Sequence, residues 1–468
     1  MGSRKTLSGV PGKRGGAAGK TAGALGMLSL MAAIPLQAVN LGDADTGNQV
    51  QKQTGDYIDT ICPQMAAIQD QLSDPQKRLF QRCRGAKFDQ EGQEGFTEGD
   101  TPGVLQRLSP EETLTIGSER TDTALHNQLD TRFQAIRQGV TGVSIAGVPW
   151  SEQTGGTAGS DDFLRWGFFL NGVYATGDKD ASKNENQFDF DAYGLTTGLD
   201  YRFSDNFVAG IAYSYVDSEA DIDDRQGDVA GGRGDGEQDT DSHTFALYST
   251  WYQDNFYFDG SLSYSTMDIE GERDIQYGNV NQTAVMDTDG EQWGFNLGGG
   301  YNHHLGGPWN ARYFARLDYV DVEIDGYKER AKQQTAAGAD PTDAAADKDS
   351  LIMQVFDQDL ESLQSVLGVN FTYVASTDFG VLTPYFTAEW YHEFEDDERN
   401  ITAKYVFDPT NDVLRFRSNA ADEDFFGISL GVNSVLKGGA QLFFNYDTVL
   451  DLEDVTQHIF TAGVRYEF

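Results

Sequence analysis

The stretch QHIFTAGVRYEF, residues 457–468, decides the fold. Side chains alternate across a β-strand with period two. Read as a strand, it puts Phe460, Ala462, Val464, Tyr466 and Phe468 on one face and Thr461, Gly463, Arg465 and Glu467 on the other. One face is apolar throughout and the other polar, so the question is whether the apolar face meets a protein core or lipid.

The same alternation recurs upstream. In NFYFDGSLSYS (255–265), Phe256, Phe258, Gly260, Leu262 and Tyr264 oppose Tyr257, Asp259, Ser261, Ser263 and Ser265. VLTPYFTAEW (381–390), FGISLGVNSV (426–435), FVAGIAYSY (207–215), WGFNLGGGY (293–301), RYFARLDYV (312–320), SVLGVNFTY (365–373) and QLFFNYD (441–447) behave alike. With less clean strands near 163–175, 187–203 and 241–253, the count is twelve, an even number.

The connections alternate in length. Short ones fall at 204–206, 253–255, 305–308, 376–380 and 436–439, and long or acidic loops are expected near 176–186, 217–241, 268–290, 323–356 and 395–421. Tight turns at one end and long loops at the other are the layout of an outer-membrane barrel, which a soluble sandwich gives no reason to follow. The second face agrees, because its Asp259, Arg316, Asp318, Glu389, Asn433 and Arg465 would be intolerable unpaired in a dry core and suit a polar lumen. Tyr and Phe gather at strand ends, as aromatic girdles do. The expected fold is all-β: a 12-stranded antiparallel transmembrane β-barrel over residues 163–468, with an amino-terminal α-helix plugging the pore.

Composition fits. Aromatics are 12% and Gly numbers 53 against 11 Pro, a strand- and turn-rich balance. A net charge of -40 excludes nucleic acid as a partner, since phosphate binding needs Lys and Arg in excess. No run of about 18 apolar residues follows the amino terminus, so a transmembrane helix is excluded. A barrel is not, because its lipid-facing residues occupy only every second position.

Residues 1–38 read as a secretory signal: Arg4, Lys5, Lys13, Arg14 and Lys20, then the apolar ALGMLSLMAAIPL, with cleavage expected after Ala38. An exported chain makes its only two cysteines interpretable. Cys62 and Cys83 sit in two short helical patterns broken by Ser-Asp-Pro, and a disulfide across a helical hairpin is expected in an oxidising compartment; two buried free thiols are the alternative. Residues 88–103 read as a flexible acidic linker. From Ser109 a polar helix of about 30 residues is expected to about Gln138: Ser109 as N-cap, Pro110 behind it, Glu112 completing a capping box. Its apolar stripe is thin, only Leu125, Leu129, Phe133 and Ile136, which suits a polar tube better than a greasy core. Residues 140–162 then connect to the barrel.

No catalytic constellation emerges. The six His are scattered, HEFED at 392 is not HExxH, and GVSIAG at 142 is not GxSxG. The chain is expected to be no enzyme and to hold no cofactor or metal. Arg233, Gly234 and Asp235 form a triplet that resembles integrin-binding adhesive sequences and would imply a host or cell-surface ligand, but an acidic Gly-rich loop produces such triplets by chance.

Twelve strands, a polar helix leading into them, a signal peptide and a terminal aromatic strand together resemble the translocator domain of classical monomeric autotransporters. The likeness covers about 110–468. It implies a barrel in the bacterial outer membrane with both termini periplasmic, a helix threading the pore, and a passenger at the cell surface, here the short segment 39–108. It also implies that Phe460, Ala462, Val464, Tyr466 and Phe468 are the signal read by the barrel-assembly machinery. The expected partners are therefore that machinery and the outer-membrane bilayer. Members that cut their own pore helix do so between paired asparagines, whereas here Asn127 precedes Gln128, so self-cleavage is not expected. The rival reading is a plugged porin-like or structural barrel whose amino-terminal segment stays periplasmic.

Overall fold

A computed structural model describes residues 40–43, 48–88, 100–110, 129, 132–134, 136, 165–182, 184, 187–222, 236–278, 280–332, 349–396, 398–436 and 440–467. The expected signal segment, Glu112, Leu125, the 233–235 triplet and Phe468 lie outside these residues.

Three helices come first: α1 (Gln49–Ala67), α2 (Asp74–Phe88) and α3 (Thr101–Leu108). The strands follow as β1 (Trp166–Lys179), β2 (Phe188–Ser204), β3 (Phe207–Ile222), β4 (Gly236–Gln253), β5 (Phe256–Tyr277) and β6 (Val280–Gly306). Next are β7 (Trp309–Ile324), β8 (Tyr327–Lys328), β9 (Arg330–Ala331), β10 (Met353–Val355), β11 (Gln358–Tyr373) and β12 (Ala375–Thr377). The last are β13 (Gly380–Glu393), β14 (Asn400–Tyr405), β15 (Leu414–Arg417), β16 (Asp424–Leu436), β17 (Gln441–Leu450) and β18 (Val455–Glu467).

Twelve of these strands are the staves of one closed antiparallel barrel: β1 to β7, β11, β13 and β16 to β18. Closure is made where β18 pairs with β1, from Gly167 opposite Glu467 to Lys179 opposite Val455. The wall therefore has no free edge, and every ladder group finds its partner inside the protein.

The outer face is apolar at every second residue. Phe245, Leu247, Phe258, Leu262, Phe295 and Leu297 are all exposed, while their neighbours Thr244, Ser263 and Asn296 are buried toward the interior. Aromatic pairs mark two levels on this face, Phe256 with Tyr301 near the tight turns and Tyr264 with Trp293 near the other end. Tyr301 and Trp293 are eight residues apart on β6, which spans about 27 Å along the strand and about 20 Å once the strand is tilted. That matches the apolar band of an outer-membrane barrel. Beyond the second aromatic level the outward side chains turn acidic, for example Asp268, Glu270 and Glu272 on β5.

The tight-turn end is built from short hairpins. Asp254 takes a positive φ of 53° to let β4 turn into β5 in two residues, and Gly306 and Gly307 do the same between β6 and β7 at 103° and 60°.

The opposite end differs from the loops expected there. The region 268–290 is no loop: β5 and β6 continue as one long hairpin, paired to Tyr277 opposite Val280. The physical reason is its inward face, where Met267, Ile269, Ile275 and Tyr277 are buried. Segments 323–356 and 395–421 likewise carry strands, and β15, β14, β10 and β8 form a separate four-stranded sheet.

The amino-terminal helices pack on this end. Val50, Tyr57, Ile58, Ile61, Cys62 and Met65 recur at helical spacing on α1 and are buried. Asn48 caps α1, its Oδ1 accepting from the Gln51 N–H at 2.9 Å. Cys62 and Cys83 are joined across α1 and α2, with Cα atoms 5.9 Å apart. These helices and α3 share one continuous apolar core with the β5–β6 hairpin and the small sheet. Each large apolar side chain so buried contributes about 1.5–3 kcal/mol.

Ser109 ends α3, with φ -80° and ψ 151°, and its hydroxyl donates to the Leu105 carbonyl at 2.7 Å. The first turns of the polar helix expected after it lie outside the described residues. The acidic linker read at 88–103 stops before Thr101, where α3 begins. Proline at the start of α3 suits a helical first turn, and that turn outweighs the Gly- and Asp-rich look of the segment.

A charge on the lipid face should be costly where the same charge inside is not. Leu262→Arg is expected to lower barrel stability by about 2–4 kcal/mol, and Ser263→Arg by much less, in reversible urea unfolding from lipid vesicles.

Candidate functional site

The lumen near the tight-turn end is occupied by the chain itself. Leu129, Arg132, Phe133, Gln134 and Ile136 are helical and buried. Leu129, Phe133 and Ile136 recur at helical spacing and pack against Phe169 of β1, Val208 and Ala212 of β3, and Ala246 and Tyr248 of β4. Phe133 meets the Tyr248 ring edge-on at 5.8 Å between centroids.

Arg132 lies on the same stripe, three residues after Leu129, and its charge is met from the wall. Its Nε and one terminal nitrogen donate to the two carboxylate oxygens of Asp200 on β2, both at 2.7 Å. The Tyr248 hydroxyl donates to Asp200 Oδ2 at 2.7 Å, and the guanidinium sits 5.9 Å above the Phe169 ring. Arg132 and Asp200 are 1% and 4% exposed at their side chains, so this is a desolvated ion pair. Charges so buried hold only when paired and hydrogen-bonded, which two parallel bonds and the phenol provide. The wall makes room with glycine: a Cβ at Gly167 would stand 2.1 Å from the Arg132 guanidinium, and one at Gly198 2.2 Å from the Phe169 ring.

The rest of the interior is polar and cross-bonded. Arg316 donates to Asp318 at 2.6 Å and to Glu389 at 3.3 Å. Asn296 also donates to Asp318, and the Tyr391 hydroxyl to Glu389 at 3.1 Å. Hydroxyls pair across strands, Thr196 with Ser214 and Thr244 with Ser265, both at 2.7 Å. Asp259 is buried on the inner face of β5, and Arg465 is buried on β18 with its guanidinium 4.0 Å over the Phe443 ring. The structure thus gathers Arg316, Asp318 and Glu389 into one network, with Asp259 in register with Arg316 across Gly298, and places Arg465 on β18.

At the long-loop end the chain is held a second time. Arg273 of β5 makes a bidentate pair with Glu329, at 3.0 and 2.6 Å, and donates to the Arg107 carbonyl at 2.9 Å. The Tyr405 hydroxyl donates to the Leu108 carbonyl at 3.0 Å. These are among the last carbonyls of α3, which have no partner within the helix. The Tyr57 hydroxyl of α1 donates to Asp408 at 2.7 Å, and burial first, then the Asp408 charge, pushes its ionisation well above the ordinary phenol value.

Of the remaining residues singled out from sequence, Phe460, Ala462, Val464 and Tyr466 of β18 face outward. Sequence reasoning missed Arg132, Asp200 and Tyr248. A signal existed for two of them: Arg132 falls on the apolar stripe, and Asp200 is the one acid in the inward run Gly194, Thr196, Gly198, Asp200.

The family Autotransporter beta-domain matches residues 168–447. Among curated proteins, one from the trpE–trpG intergenic region of Pseudomonas putida is 28% identical over 222 residues, 47% of this chain and 33% of that protein. Esterase EstA of Pseudomonas aeruginosa is 25% identical over 303 residues, 64% of this chain and 42% of the esterase. The chain thus spans less than half the length of these relatives. Among solved structures, the translocator domain of autotransporter NalP from Neisseria meningitidis has a TM-score of 0.48 at 13% identity, covering 74% of this chain and 98% of that one. The β-domain of the Bordetella autotransporter BrkA has a TM-score of 0.44 at 16% identity, covering 65% and 100%.

Two outcomes follow from the geometry. Asp200→Ala leaves the Arg132 guanidinium without that carboxylate, a loss of about 3–5 kcal/mol, so single-channel conductance in planar bilayers should rise. Replacing both charges, Arg132→Met with Asp200→Leu, should restore most of the closed state. Alkali should loosen the amino-terminal helices. Tyr57 keeps its proton when docked and loses it above about pH 10 when undocked, so its contribution is complete below that pH and falls as pH rises further. Proteolysis of the helices across this range should accelerate, and Tyr57→Phe should flatten the response.

Proposed function

The chain belongs to the autotransporter β-domain family, and from that premise we propose that its barrel exports and then displays the chain's own short amino-terminal segment. The barrel sits in the bacterial outer membrane, where chains of this family are inserted by the outer-membrane assembly machinery.

One observation carries the reading: the chain is held at both ends of the same pore. Leu108 is bonded to Tyr405 at the long-loop end, whereas Arg132 is bonded to Asp200 near the tight turns where β1 begins. A segment that had never crossed the wall would have no reason to be packed at the long-loop end. Residues 39–108 are then the displayed segment and 109–139 the part left in the pore, which is the function proposed for Leu129, Phe133 and Ile136.

In this mechanism the closed ladder keeps the wall intact while the chain passes, since no strand edge is exposed. A lumen rich in hydroxyls and paired charges offers a passing chain hydrogen-bonding partners and no continuous apolar surface to adhere to. When passage ends, the stripe of Leu129, Phe133 and Ile136 meets the apolar patch around Phe169, and Arg132 finds Asp200. The pore is then closed by the chain that used it. The esterase name belongs to a relative of which this chain covers 42%, and no reaction is proposed for residues 39–108.

The test is topological. An epitope inserted at the exposed Ser73 should bind antibody on intact cells. Binding only after the outer membrane is permeabilised would mean a periplasmic segment and a plugged barrel that exports nothing.

A further inference from the structure

The end of the barrel opposite the tight turns carries an apolar face far larger than a loop cluster needs. Ile275, Tyr277, Met353, Ala403, Tyr405 and Phe416 are all 1% exposed or less, and the helices α1 to α3 share the core that covers them. With those helices gone, this face would stand open to water as one contiguous patch, of the kind that marks an interaction surface.

Its polar rim is matched to the same occupant. Arg273 and Tyr405 complete the terminal carbonyls of α3. A cation placed at a helix carboxyl end also meets the negative end of the helix dipole. Asp408 takes the Tyr57 hydroxyl, whose ring stacks on Tyr405 at 5.8 Å, and Asp349 takes Arg78 of α2 at 2.8 Å. The α3 contacts belong to the part of the chain that stays joined to the barrel, and the apolar contact with the Asp408 and Asp349 pairs selects α1 and α2.

We propose that this face is a built-in receptor that holds residues 40–88 at the outer end of the pore by non-covalent contacts alone, so that cutting the chain between α2 and α3 does not release them. The inference rests on the reading that the segment is displayed outside. It goes beyond that reading in making the display independent of the covalent link.

The experiment uses the full chain with a site-specific protease sequence inserted between residues 89 and 99, in intact cells. Cleavage with the α1–α2 fragment kept in the membrane pellet is the expected result. Cleavage with the fragment recovered in the medium overturns the receptor but leaves surface display standing. Cleavage only after permeabilisation overturns the display reading itself, and the receptor with it.

Two further variants separate receptor from mere trapping. Asp408→Ala removes the acceptor of Tyr57, and Phe416→Ser opens the apolar face; each should raise the fraction released by about tenfold or more. The barrel should keep its heat-modifiable migration in both. Retention unchanged in both variants, with the barrel intact, would overturn the proposal.

Discussion

In hydrocarbon a backbone N–H or C=O has no water to turn to, so a strand can cross only if its neighbours satisfy it on both sides. Here that requirement is met by the ladder between β1 and β18, which turns an open sheet into a cylinder. Everything else is a consequence of closure. Once the wall is closed, alternation sends half of every strand to lipid and half to the lumen. The sequence must then be greasy on one parity and polar on the other, as Leu262 and Ser263 illustrate.

A closed polar tube has an interior that must itself be satisfied. On the β7, β11 and β13 side the wall does this internally, through Arg316, Asp318 and Glu389. On the β1 to β4 side it is completed by the chain: Asp200 and Tyr248 find Arg132, while Phe169 and Ala212 find the apolar stripe around it. The occupant is therefore part of the barrel's packing on the β1 to β4 side, where glycines at 167 and 198 leave the space for it. At the far end the same logic repeats with a helix terminus, since the Arg107 and Leu108 carbonyls are completed by Arg273 and Tyr405 from the wall.

What could be read from sequence follows from how far apart the deciding residues lie. The tight turns and staves were legible because period two and a turn residue such as Asp254 are local facts. The β5–β6 hairpin was not: Asp268, Glu270 and Glu272 look like a solvated loop until Ile269, Ile275 and Tyr277 are covered by helices more than 150 residues away. The segment around α3 shows the same limit at short range. Its Gly- and Asp-rich surroundings read as a flexible linker, yet Thr101–Leu108 are helical, with Val104, Leu105 and Leu108 buried in the shared core. Arg132 stands out as a charge on the apolar stripe, but its partner is known only once β2 places Asp200 against it.

Sequence alone thus determined that this chain makes a barrel of twelve staves with one lipid face and one wet face, because each of those properties is written in the spacing of neighbouring residues. The tertiary structure alone decided which buried charge meets which, and that the amino-terminal helices form one core with the long-loop end. Those pairings join residues separated by tens to hundreds of positions, and no local spacing carries information about a partner that only chain closure brings near.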